Sequence, residues 1–221
     1  MHMPDGFLPQ YLLIICNVLA IIFGCIAIWR TELRYWSGYA EGLQIGFIFV
    51  ALCGLYMLQA DIKPGTAVHW LGVMLAVMMI GPWTAILVLS AVHIFLLFAF
   101  SIGGIQTLGF NISVCVLLPV LVASATHYFF YYHFPRIVPV YFAKVGFGDL
   151  LCMLSVDAVL TACLFQWFTY PSFVIWEDFT LLLALMGGME ALISTWIVSL
   201  LVCFLPGWLV TFSDEEYLHG K

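Results

Sequence analysis

Residues 64–135 read PGTAVHWLGVMLAVMMIGPWTAILVLSAVHIFLLFAFSIGGIQTLGFNISVCVLLPVLVASATHYFFYYHFP and contain no Asp, Glu, Lys or Arg; Lys63 precedes the stretch and Arg136 follows it. A run of 72 residues without a formal charge is too long for one membrane crossing, which takes ~20 apolar residues, and about right for three. Gly81-Pro82 punctuates it once, because proline lacks an N–H donor and ends or kinks a helix. Gly103-Gly104 and Gly109 punctuate it again. The pattern predicts spans near 67–80, 83–100 and 110–132, the first of them short and only partly inserted.

Working outward, residues 6–29 (GFLPQYLLIICNVLAIIFGCIAIW) are uncharged and long enough to cross once. No basic segment precedes them and no clear A-x-A site closes them, so they read as a retained span, not a cleaved signal. Further spans are expected near 42–60, 145–169 and 180–205. The whole chain agrees: 65% of its 221 residues are apolar and 8% are charged, with a mean hydropathy of +1.13. Such a composition excludes a disordered chain and leaves too little polar surface for a water-soluble domain. The expected fold class is all-α: a polytopic membrane bundle of about seven transmembrane helices, one domain over 1–221, multi-pass in the inner (plasma) membrane and in contact with lipid.

Seven crossings place the termini on opposite sides. With the N-terminus outside and the C-terminus cytoplasmic, the inner segments carry Arg30, Arg34, Arg136, Lys144 and Lys221, and the outer ones Lys63 alone. That asymmetry satisfies the positive-inside rule. A formal net charge of −6 argues against a nucleic-acid partner, which needs a basic face. The seven cysteines are scattered without a C-x-x-C pair and read as small apolar side chains.

The chain opens Met1-His2. An α-amine titrates near ~8, so a metal ion displaces its proton close to neutrality. The amine and the backbone nitrogen of His2 close a five-membered chelate ring; that nitrogen and His2 Nδ1 close a six-membered one. Three coplanar nitrogens and one further imidazole form a square-planar site, which favours Ni(II), Cu(II) or Co(II) over Mg, Ca or tetrahedral Zn. His69 lies on the same expected side, at the mouth of the third span, and Pro4-Asp5-Gly6 is a turn signal that can fold the N-terminus back onto the bundle.

These blocks resemble a known family. MHMPDGFLP (1–9), PGTAVHWLGVMLAVMMIGPW (64–83), GGIQTLGFN (103–111) and Glu190 in MEALIS (189–194) are similar to the substrate-binding membrane (S) component of the cobalt/nickel energy-coupling-factor transporters. The resemblance implies a helical bundle that captures Ni²⁺ or Co²⁺ from outside as its transported substrate. It implies metal ligands at Met1, His2 and His69, the set reached above from chelate geometry. It also implies a transmembrane coupling subunit and ATPase subunits as partners. Asn111 is the candidate to orient a ligand from behind; as an alternative it caps its span or bonds a neighbouring helix. The chain departs from the family at Val68, where Gly often precedes the histidine, and at Ile102, where an acidic residue often precedes Gly-Gly.

Asp149, Asp157 and Glu190 are acidic residues in or near spans, where charges are costly and mark candidate ion pathways. They carry the alternative function, a stand-alone proton- or cation-coupled carrier, in which Met1-His2 plays no part. His93 and His127 lie too far apart in depth for a shared haem and read as packing groups. There is no Gly-x-x-x-x-Gly-Lys-Ser/Thr loop, hence no ATP site of that kind on this chain. No nucleophile elbow, His-Glu-x-x-His or triad pattern appears either, and the chain is not expected to be an enzyme.

Overall fold

The computed structural model describes residues 3–31, 38–63, 66–168 and 171–218; Met1, His2, Arg34 and Lys221 lie outside them. The described residues form α1 (Gln10–Arg30), α2 (Tyr39–Met57), a hairpin of β1 (Ala60–Lys63) and β2 (Thr66–Val68), α3 (Val73–Phe100), α4 (Leu108–His133), α5 (Val138–Trp167), α6 (Ser172–Phe204) and a short α7 (Asp214–Tyr217). The first six helices are long and apolar enough to cross a membrane. The helices α1, α2 and α6 leave most of their surface exposed, while α3, α4 and α5 form the packed centre. Exposed Ile14, Ile15, Val18, Ile21 and Ile22 on α1 suit a face solvated by lipid tails, which are as apolar as the side chains themselves.

The path of the chain explains why seven segments are expected and six helices are traced. The Nε2 of Gln44, near the start of α2, donates to the carbonyl of Met79 at 3.2 Å. Near the end of α2, the Tyr56 ring lies 5.3 Å from that of His93, and its hydroxyl donates to the carbonyl of Leu71 at 3.0 Å. The chain therefore runs from the Tyr56 end to the Gln44 end between residues 71 and 79, and returns by residue 93. Helix α3 is two antiparallel arms, 73–80 and 82–100, reversed at Gly81 (φ 75°, ψ 164°). That backbone region is open essentially to glycine alone, and Pro82 starts the second arm where a missing N–H costs nothing.

The reversal exposes the last carbonyls of the first arm, which have no partner within the helix. Side chains supply them: Gln44 bonds Met79 and also donates to the carbonyl of Trp208 at 2.8 Å. The Thr211 hydroxyl donates to the carbonyl of Met78 at 3.2 Å and pairs with the Tyr141 hydroxyl at 2.8 Å. The C-terminal segment is thereby folded onto this end of the bundle, where Arg136 also meets Glu216 at 3.4 Å. Met3 and Tyr217 lie at opposite ends.

Three boundaries differ from expectation by six residues or more, one of them that of α6, which begins at Ser172 and not near 180. The first arm begins at Val73, not near 67, because residues 66–68 are in β2 and Gly72 takes φ 64°. The fifth helix begins at Val138, not near 145, so Lys144 lies within a helix and not in a loop. A buried cation is tolerated there because its ammonium sits 4.0 Å from the centre of the Tyr141 ring and 3.2 Å from His127 Nδ1, which combines cation–π and hydrogen-bond stabilisation.

Gly81→Ala is expected to lower stability by about 2 kcal/mol through the forbidden φ/ψ alone, since nothing lies within 4 Å of the added Cβ. Gly24→Ala, also open but in regular helix, is expected to be neutral or stabilising by up to ~1 kcal/mol. Thermal unfolding of the two variants in detergent checks this; an unchanged G81A midpoint would refute the reversal.

Candidate functional site

Two irregular segments enter the bundle from the end that carries Met3. The first is the N-terminal segment, 3–9. Its backbone is irregular, with a turn at Asp5-Gly6, and pairs with no strand among the described residues, yet Met3 is buried. Asn111 supplies the missing partner. Its Oδ1 accepts from the N–H of Met3 at 2.9 Å, and its Nδ2 donates to the carbonyl of Met3 at 3.1 Å. A carboxamide carries one acceptor and one donor in a plane, so it pairs with a single residue as a neighbouring strand would.

The loop 101–107 completes the hold. The Thr107 hydroxyl donates to the Met3 carbonyl at 2.6 Å. Asp5 accepts from the N–H groups of Ile105 and Thr107 at 3.1 and 3.0 Å. This contact requires Gly104, where a Cβ would collide with the Asp5 carboxylate and lie 2.7 Å from its backbone nitrogen. On α1, Asn17 Oδ1 accepts from the N–H of Gly109 at 3.2 Å and its Nδ2 donates to the carbonyl of Gln106 at 3.1 Å. Just beyond Asn111, α4 carries a π-helical turn, Ser113–Leu117, and the Ser113 hydroxyl bonds the carbonyl of Cys16 at 3.1 Å.

The second segment is 69–72, between β2 and the first arm of α3. It dips to the middle of the bundle, because it meets Glu190 near the centre of α6. His69 is fully buried. Its ring lies 4.2 Å from the Tyr56 ring, and its Nδ1 is 2.8 Å from the carbonyl of Trp70. A carbonyl only accepts, so Nδ1 carries the proton and the ring's lone pair is on Nε2. Glu190 holds the backbone that follows: both its oxygens lie 3.0 Å from the N–H of Leu71, and Oε1 accepts from Gly72 at 2.5 Å.

Helix α4 runs past both segments: Asn111 holds Met3 on one side. Cys115, one turn beyond Asn111, lies in the same buried neighbourhood as Tyr56. Met1 and His2 lie outside the described residues. Among the described residues no three His, Cys, Asp or Glu side chains gather in a set that would hold a metal ion by themselves.

The carboxylates of the alternative reading divide. Asp149 is buried near Glu190, with the Ser194 hydroxyl and the N–H of Met74 facing it. Asp157 accepts from the Thr161 hydroxyl at 3.0 Å, about two turns further along α5. His93 Nδ1 bonds the carbonyl of Leu89 at 2.9 Å, and His127 sits beside Lys144 in a different neighbourhood. Tyr56 and Thr107 were not singled out by the sequence. Thr107 lies inside the GGIQTLGFN block and could have been found there; Tyr56 has no local signature.

Comparison with known proteins bears on the same segments. Residues 2–208 match the family described as cobalt uptake substrate-specific transmembrane region. Two curated relatives are named as fused nickel transport proteins (NikMN). The one from Archaeoglobus fulgidus is 30% identical over 112 residues, covering 51% of this chain and 36% of its own length. The one from Rhodobacter capsulatus is 27% identical over 135 residues, covering 58% and 36%. The chain thus spans about a third of the length of the curated relatives it matches. Among solved structures, a truncated transition metal transporter superposes with a TM-score of 0.68 at 18% identity, over 91% of this chain and 98% of the other. A second transition metal transporter gives 0.66 at 19% identity, over 92% and 93%. At these identities they show the fold.

Asn111→Ala removes both side-chain bonds to Met3. Amide hydrogen exchange in the peptide covering residues 3–9 is expected to rise about tenfold or more, the equivalent of one to two net hydrogen bonds at ~1 kcal/mol each, with exchange in α5 unchanged. Unaltered exchange in the N-terminal peptide would show that Asn111 does not hold the segment.

Proposed function

The chain belongs to the family of cobalt uptake substrate-specific transmembrane regions, and from that premise we propose that it captures Ni²⁺ or Co²⁺ in a square-planar nitrogen site. It is a multi-pass membrane component of transition-metal uptake; the ligand set, the side of capture and the partners are the proposal. The ligands are the α-amine of a chain beginning at Met1, the backbone and Nδ1 nitrogens of His2, and Nε2 of His69. Asn111 positions the first three by holding the next residue in the chain.

The observation that carries this reading is the hold on Met3. A residue directly joined to His2 is buried and bonded on both its N–H and its C=O, in the part of the bundle to which the His69 segment also descends. Fixing that backbone restricts where an adjacent chelate can sit, which is how a group behind the ligands raises metal affinity. The His69 tautomer supports it too, because Nδ1 donation to a carbonyl leaves Nε2 as the coordinating nitrogen. Four nitrogens in a plane suit Ni(II) and Co(II), and d-electron preference excludes Mg and Ca.

The Met3 end is read as facing outside. Of the described basic residues, Arg30, Arg136 and Lys144 belong to the opposite end, where the C-terminal segment folds back, and Lys63 alone lies elsewhere, on the hairpin; the more basic end is retained in the cytoplasm. The family description names cobalt, and the names of the relatives name nickel. Energy for release into the cell is assigned to separate transmembrane coupling and ATPase subunits, because this chain carries no phosphate-binding loop.

The test is calorimetric titration of NiCl₂ and CoCl₂ into purified protein with its native start, with one Gly added before Met1, and with His69→Ala. Both changes are expected to weaken binding by at least the ~100-fold upper end seen for groups that merely orient a ligand. An extended chain that binds as tightly as the native one would remove the amine from the ligand set. A His69→Ala chain that does so would remove the imidazole.

A further inference from the structure

Glu190 has been considered above as a step on an ion path; its contacts describe a different task. Three backbone-to-carboxylate contacts converge on it, two to Leu71 and one to Gly72. The peptide on the other side of Leu71 is held as well, since its carbonyl accepts from the Tyr56 hydroxyl at 3.0 Å. The residue is therefore fixed at both its N–H and its C=O, by side chains from two different helices. Trp70 precedes it, and the Trp70 carbonyl is the group that receives His69 Nδ1–H. The same Tyr56 whose hydroxyl holds Leu71 packs against the His69 ring, with the centroids 4.2 Å apart and the planes tilted by 35°.

We propose that Glu190 and Tyr56 form a clamp on the Leu71 peptide that sets the position and tautomer of the His69 imidazole for metal capture. Glu190 is a positioning residue, which never touches the ion. The inference rests on the ligand reading of His69 given above. Its physical basis is that 69–72 is non-helical backbone at mid-bundle, where no water stands in for lost partners. A carboxylate offers lone pairs only, so it receives the N–H groups of Leu71 and Gly72 without competition. It also holds the start of the first α3 arm, where N–H groups lack partners within the helix. The carbonyl of Trp70 is thereby aimed, and the ring follows its carbonyl.

Glu190→Gln tests this with little change in volume. Its amide keeps one acceptor and turns an NH₂ donor toward backbone donors, so at least one of the clamp bonds is lost. Full-length protein with its native start is titrated with NiCl₂ as wild type, His69→Ala, Glu190→Gln and Tyr56→Phe. The visible absorption of the nickel complex and the melting temperature without metal are recorded for each. The expected result is loss of tight binding in His69→Ala, and binding about 10- to 100-fold weaker in Glu190→Gln. In Glu190→Gln the nickel absorption band is expected to shift, and the metal-free melting temperature to fall by no more than the loss of one buried hydrogen bond accounts for. Wild-type affinity and band in Glu190→Gln, with binding lost in His69→Ala, would overturn the clamp and leave the ligand reading standing. Wild-type binding in His69→Ala would overturn the ligand reading, and the clamp with it. A weaker Glu190→Gln complex with an unshifted band and a lowered melting temperature would mark a purely structural role and also overturn the clamp. If Glu190→Gln does not fold, Tyr56→Phe decides by the same criteria, because it removes the other half of the hold on Leu71.

Discussion

Backbone that leaves the helical state inside a bilayer must find its hydrogen bonds within the protein, because lipid supplies none and each orphaned group costs several kcal/mol. Much of this structure follows from that constraint at one place, residues 69–72. They break from helix at mid-bundle, and the break is made good by Glu190 from α6 and Tyr56 from α2. Because the break is so deep, the arm after it is short: residues 73–80 span ~12 Å at ~1.5 Å each. A short arm must turn back inside the protein, and Gly81 is the residue that allows it. The turn in turn exposes the carbonyls of Met78 and Met79, which recruit Thr211 and Gln44 and so bring the C-terminal segment onto the bundle.

The N-terminal segment meets the same constraint with different chemistry. Its irregular backbone at Met3 is paired by a side-chain amide and a hydroxyl. A side chain can do this for one residue without an exposed strand edge. Glycine at 104 removes the Cβ that would keep Asp5 away, so the acidic residue and the loop close on one another. The π-helical turn directly after Asn111 is the kind of irregularity that concentrates at functional positions.

Much of this was legible in residues 64–135. Their lack of charge and the Gly81-Pro82 break announce three uncharged segments, the first of them short, and the structure contains them as two arms of α3 followed by α4. The resemblance carried by Met1-His2, the His69 block and the GGIQTLGFN block led to the family. What could not be read was set by distant partners. Lys144 looked like the end of a loop because a charge ordinarily is; the Tyr141 ring and His127 that let it enter a helix are contacts made only in the fold. Tyr56 is one aromatic among many on an apolar span, and nothing local marks it as the neighbour of His69. Glu190 was visible as an intramembrane acid, but an acid's sequence does not tell whether it faces an ion or a peptide N–H.

That last distinction bears on the choice between capture and conduction. A conducting carrier built on Asp149, Asp157 and Glu190 needs carboxylates in succession along one passage, each able to exchange its ligand. Glu190 instead has its oxygens engaged by two backbone N–H groups, and releasing them would unseat a helix start in a medium without water. Asp157 lies eight residues from Asp149 on α5, ~12 Å of helix rise, and accepts from Thr161. Asp149 and Glu190 are neighbours, but a pair flanking a helix start is an anchor more than a path. The proposed ligands belong instead to the two segments that enter from the Met3 end, and the second of these carries the His69 imidazole to mid-bundle. Capture at such a point demands that the rest of the molecule keep two irregular segments still. The polar contacts described for Asn111, Thr107, Asp5, Tyr56 and Glu190 hold both segments in place.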